Sequence, residues 1–234
     1  MTRPQRLGEI SEAFGEQIRG RVEEIQPRLR GWLHAATFPV AVVAGVVLVV
    51  AAPTPTARVG AAVFAVSAAL LFGVSAAYHR GHWSPRSFAV LRRIDHSSIF
   101  VLIAGTYTAF SLLLLTGSDR VVLLALVWTG AVAGVLFRVL WLDAPRWVYL
   151  PAYLGLGWVA VFWLGDFART AGATVLVLIV LGGALYSLGG LVYGLRRPDP
   201  APAWFGFHEL FHTLTVAAFA VHYIGISMAT YRLA

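Results

Sequence analysis

The chain has 234 residues, 59% of them hydrophobic and only 12% charged, with a mean hydropathy of +0.75. A water-soluble domain carries about 25% charged residues, so this composition excludes one and reads as an integral membrane protein. All 18 basic residues are arginine and cysteine is absent, which excludes disulfides, thiolate metal ligands and cysteine nucleophiles.

Residues 1–33 are polar, with Ile10, Phe14, Ile18, Val22, Ile25 and Leu29 recurring every three or four positions. That spacing puts them on one helical face. Arg19, Arg21, Arg28 and Arg30 fall off the stripe. The pattern predicts a cytoplasmic amphipathic helix lying in the membrane interface, disturbed at Pro27. A short basic start followed by an apolar core is not found, so no signal peptide is expected.

Seven apolar runs follow, at 35–53, 58–79, 94–115, 120–141, 146–164, 172–195 and 207–229. Each is near the roughly 20 residues that cross a bilayer. Short connections rich in Pro, Gly and Asp join them, leaving no room for a water-soluble domain. The expectation is an all-α, seven-transmembrane helix bundle over 34–234. With the N-terminus cytoplasmic, 14 arginines fall on the inner side, Arg138 and Arg146 among them, and 4 on the outer side. The positive-inside rule therefore places the N-terminus in the cytoplasm and the C-terminus outside, in the cell membrane. On this reading the net charge of +7 sets topology, and no nucleic-acid partner is expected.

The polar residues within the runs sort by depth. His79 ends the second run, Asp95 opens the third, and His208 and His212 open the seventh. All four therefore lie near the inner face. Ser75 is one turn deeper than His79 on the same helical face. Ionisable groups in spanning helices are costly and face the bundle interior. Three imidazoles and a carboxylate at one level suit a zinc site with three nitrogen ligands and one open position. His222 is ten residues beyond His212, about 15 Å along a helix, too far to join the same ion. It is expected to be a packing residue or to make a buried hydrogen bond. His82 is a weaker candidate, His96 is expected to be structural, and His34 interfacial. "AGTYT" (Ala104 to Thr108) reads as helix packing. The stretch HELFH, 208–212, also matches H-E-x-x-H, in which the glutamate is a protease base. From the residues alone it is a protease motif, a different zinc site, or an accident.

"SAAYH" (Ser75 to His79), "RRIDHSSIFVLIAGTYTAF" (Arg92 to Phe110) and "FHELFHTLTVAAFAVHYIGIS" (Phe207 to Ser227), in that order, resemble the hallmark segments of the hemolysin III family. That family belongs with the progestin and adiponectin receptors and, more distantly, the alkaline ceramidases. The resemblance implies zinc near the cytoplasmic face, held by His79, His208 and His212. Asp95 would hold water beside the ion, with Ser75 as its polar partner. The residue after the first histidine varies in the family, so Glu209 becomes an accidental match, expected to pair with Arg92, Arg93, Arg196 or Arg197. The composition, free of lysine and rich in Ala, Gly and Val, suits a bacterial member.

Zinc with an open position supports hydrolysis, and a site at the inner interface suits a lipid with its head group at the ion. The expectation is a zinc-dependent intramembrane hydrolase of lipid acyl amides or esters, with Asp95 and Ser75 as catalytic residues. A hemolysin-type pore and a receptor with structural zinc are the alternatives. Membrane lipid is the expected partner, and nothing in the sequence indicates an oligomer.

Overall fold

The structure is a computed structural model and describes residues 27–232. The helix expected over 1–33 lies mostly outside these residues. Residues 28–31 form a turn. The elements are α1 (Trp32–Ala51), α2 (Pro55–Arg80), α3 (Pro85–Leu114), α4 (Gly117–Leu140), α5 (Arg146–Gly157), a 3-10 segment (Val159–Trp163), α6 (Leu164–Leu195) and α7 (Phe207–Tyr231). No strand is present among the described residues, apart from an isolated bridge between Ala201 and Phe205.

The helix starts follow local chemistry. Thr54 precedes Pro55, and its hydroxyl accepts the Ala57 N–H at 3.2 Å. Ser84 precedes Pro85 and accepts the Ser87 N–H at 3.2 Å. A hydroxyl cap satisfies one free amide of the first turn, and proline at the first helical position lacks the amide that would be orphaned. The second of these caps carries α3 well upstream of the apolar run at 94–115, so its first turns are polar helix.

By length and composition, six helical stretches can cross a bilayer. One of them is Arg146–Leu195, 50 residues joining α5, the 3-10 segment and α6. Gly172, with φ 73 and ψ 173, interrupts it; this is a conformation open to glycine and closed to most side chains. Trp158 Nε1 donates to Ser187 Oγ at 2.8 Å. A Cβ on Gly190 would meet Leu154, and one on Gly194 would meet Leu150. The two arms of the stretch therefore lie side by side. The break between α5 and the 3-10 segment has its own partner. The Tyr107 hydroxyl donates to Gly157 O and accepts the Ala160 N–H, both at 2.7 Å. Irregular backbone at membrane depth survives only where protein satisfies it.

α3 is the central helix, touching α2, α4, α5, α6 and α7, while α7 packs on α6 and closes against α1 and α3. Phe64, Phe72, Phe100, Phe167 and Ile226 fill the interior. Ala104 to Thr108 are all buried, and a Cβ on Gly105 would lie 2.2 Å from Ser67 Oγ. Small residues there let α2 and α3 approach closely. Val40, Val43, Val66, Leu140 and Phe162 point outward and are exposed. An apolar exterior around a polar-lined interior is the arrangement that lipid stabilises.

Candidate metal centre

The last turns of α2 supply Ser75 and His79, the first third of α3 supplies Asp95, and the first two turns of α7 supply His208 and His212. α7 packs on α1 and α3, and α2 packs on both, so these helix ends converge. His79 Nε2 lies 3.3 Å from His208 Nε2. One nitrogen from each of His79, His208 and His212 falls within 4.8 Å of the others. Two nitrogens bound to one tetrahedral ion at about 2.1 Å stand roughly 3.4 Å apart. The donor set and its spacing therefore fit a metal ion. The Ser75 side chain lies beside the Asp95 carboxylate. Ser75, Asp95, His208 and His212 line one cavity of about 150 Å³.

That cavity runs along α7 from His208 past Thr215 to His222. Aliphatic and aromatic side chains form most of its wall, with Ile99, Leu102, Tyr153 and Leu154 among them.

The remaining histidines divide sharply. His82 is exposed. His96 Nδ1 meets Arg138 Nη2 at 2.5 Å, and its carbonyl accepts the Tyr153 hydroxyl at 2.8 Å. Its role is structural. The arginine asymmetry places Arg138 in an inner connection. It is instead almost wholly buried, bonded to Leu142 O at 3.0 Å and lying 4.5 Å from the centre of the Tyr149 ring. His222 Nε2 donates to Ile179 O at 3.1 Å, the buried hydrogen bond expected of it.

His34 corrects its sequence assignment. It is buried and stacks on His212, ring centroids 3.8 Å apart and planes 10° apart, with its edge toward Phe72. It lines the cavity. A histidine at the first turn of a first span looks interfacial, and only the closure of α7 onto α1 brings it inside.

Glu209 is also placed differently. Its Oε1 pairs with Arg30, and its Oε2 accepts the Gly206 N–H at 2.8 Å. The partner is none of Arg92, Arg93, Arg196 and Arg197. Both oxygens are spent on capping α7 and holding the segment before α1. That segment is fixed further by Arg28 N–H to Ala203 O and Leu29 N–H to Trp204 O, each 3.1 Å. Glu209 does not line the cavity, whereas Asp95 does.

Residues 23–223 match the family model described as Haemolysin-III related. The chain is 32% identical to Hemolysin-3 of Bacillus cereus over 140 residues, 60% of this chain and 64% of that one. It is 34% identical to the Hemolysin-3 homolog of Bacillus subtilis (strain 168) over 148 residues, 62% of this chain and 68% of that one. It is 41% identical to the adiponectin receptor protein of Drosophila melanogaster over 76 residues, 30% of this chain and 16% of that one. The apolar helices and these relatives together make it a multi-pass membrane protein. The chain belongs to the hemolysin III family, within the progestin and adiponectin receptor superfamily.

Proposed function

We propose that the protein is an intramembrane hydrolase of lipid acyl amides or esters, with zinc held by His79, His208 and His212. The observation that carries this reading is the shared cavity. Three convergent imidazoles, two of them lining the cavity, and a carboxylate with no ion-pair partner among the described residues stand at one end of a mostly apolar channel. Zinc bound there would supply a Lewis acid for an acyl carbonyl and a lowered pKa for water. The protein's own residues do the rest. The apolar wall excludes bulk water and aligns the chain, which brings the scissile bond to the carboxylate. Asp95 takes the proton from the attacking water and returns it to the leaving nitrogen or oxygen. The Ser75 side chain stands beside the Asp95 carboxylate and orients it.

Purified full-length protein should release free fatty acid from a lipid amide or ester, and a zinc chelator should abolish the release. A membrane-lytic activity is the second reading, favoured by the name of the Bacillus relatives. Ion leakage from sealed vesicles without any lipid product would establish that reading and remove the first.

The proposal extends to topology: seven passes in the cell membrane, N-terminus in the cytoplasm. The side-by-side arms of Arg146–Leu195 and the arginine asymmetry support it. The natural absence of cysteine makes single-cysteine labelling clean. Ser118→Cys and Thr170→Cys should react from outside intact cells, and Arg86→Cys only after permeabilisation. If Arg146–Leu195 were one pass, Thr170→Cys would sit within the bilayer and label from neither side.

A further inference from the structure

The far end of the cavity holds two polar atoms that the hydrolytic site does not use. His222 Nδ1 and the Tyr186 hydroxyl are both buried, and neither has a hydrogen-bond partner among the described residues. Both residues line the cavity, and their rings lie 5.7 Å apart. His222 is held firmly. A Cβ on Gly182 would come within 2.2 Å of its ring, and Phe110 meets it edge-on at 5.7 Å. A buried polar atom without a partner costs about 1–3 kcal/mol, so two of them, on neighbouring side chains that line one cavity, mark a place where a ligand atom belongs.

The chemistry of the pair selects that atom. The Ile179 carbonyl only accepts, so His222 Nε2 carries the hydrogen, and in the neutral ring Nδ1 presents a lone pair. Tyr186 offers an O–H. One ligand hydroxyl satisfies both, donating to His222 and accepting from Tyr186. A carbonyl satisfies only Tyr186, and a methylene satisfies neither. The ten residues from His212 to His222 span about 15 Å along α7, so the hydroxyl belongs in the middle of a long chain and not beside its head group.

We propose that Tyr186 and His222 form a second recognition point in the cavity, which takes a mid-chain hydroxyl of a bound lipid. This rests on the proposed seating of the lipid head at His79, His208 and His212. The substrates are then hydroxylated acyl lipids in preference to plain ones.

Ricinoleate and oleate share a mid-chain double bond and differ in one mid-chain hydroxyl. The two acids would compete for the zinc-loaded, full-length protein in nanodiscs, with the retained acid quantified by mass spectrometry. Wild type should retain ricinoleate over oleate about tenfold more than the Tyr186→Phe variant does, a factor in keeping with one buried hydrogen bond. Comparing the two proteins cancels the different partitioning of the acids into lipid. The ketone made by oxidising ricinoleate should rank between the two acids. Tyr186→Phe removes one oxygen and keeps the ring, so oleate retention serves as its control for folding. Equal ratios in wild type and variant would overturn the proposal, as would retention of neither acid above empty nanodiscs; equal ratios would also mean that the two atoms are met by water alone. The hydrolase reading fails separately. A protein that cleaves no lipid but keeps the ratio loses the hydrolase and retains the recognition point. One that cleaves oleoyl and ricinoleoyl lipids equally, without a binding preference, does the reverse.

Discussion

Replacing any one of His79, His208 and His212 with alanine should reduce bound zinc from about one ion per chain to near none after dialysis against a mild chelator. The three nitrogens lie within 4.8 Å of one another, and no carboxylate or cysteine among the described residues joins their group as a replacement ligand. Loss of an outer hydrogen-bond partner of a metal ligand typically costs 10–100-fold in affinity, so loss of a ligand itself should exceed about a hundredfold. Stability gives an independent readout. A ligand that binds only the folded state at about a hundred times its Kd adds about 2.7 kcal/mol. Zinc should therefore raise the Tm of wild type and leave each of the three variants unmoved. His222→Ala should keep its zinc, because His222 is far along α7 and bonded to Ile179 O. Full zinc occupancy after the loss of any of the three would remove the metal centre as drawn.

The clustering of His79, His208 and His212 was legible in the sequence because each sits at the end of an apolar run. Alternation of the runs then fixes its depth without any knowledge of which helices touch. His34 sits at the same level and was misplaced. Depth places it beside the others, but its stacking on His212 depends on α7 closing against α1, and no local pattern states that. Arg30 illustrates the same limit. It lies 179 positions from Glu209, in a segment whose periodicity pointed to an interfacial helix. The pairing is set by the turn at 28–31 and its hydrogen bonds to Ala203 and Trp204. The start of α3 was open to reading, since Ser84-Pro85 is a helix start in chemical terms, but hydropathy alone begins the span at residue 94. The break after α5 left no trace in hydropathy, because the residues around it are as apolar as a regular helix, although Gly155 and Gly157 lead into it. What satisfies it is a tyrosine from α3.

Asp95→Asn should leave zinc bound and lower turnover on the order of 10²–10⁴-fold, the usual contribution of a positioned general base. Asparagine keeps the shape, but it cannot take a proton. The H-E-x-x-H match in HELFH makes the opposite assignment, with Glu209 as base and Asp95 as bystander. The geometry separates the two. Asp95 lines the cavity that His208 and His212 line, and Glu209 does not. The Glu209 carboxylate is already committed, one oxygen to Arg30 and the other to the Gly206 N–H at the start of α7. Glu209→Gln should accordingly act on stability. It leaves the Arg30 guanidinium unpaired at a site where Glu209 is almost wholly buried and Arg30 partly so. Breaking a buried pair costs about 3–5 kcal/mol, and the access of Arg30 to water puts this one at the lower end. The variant should melt earlier while its turnover per folded, zinc-loaded molecule stays within a few fold of wild type. Zinc content, Tm and turnover measured side by side on the two variants decide the matter. An active Asp95→Asn beside a stable but inactive Glu209→Gln would return HELFH to the protease-type reading.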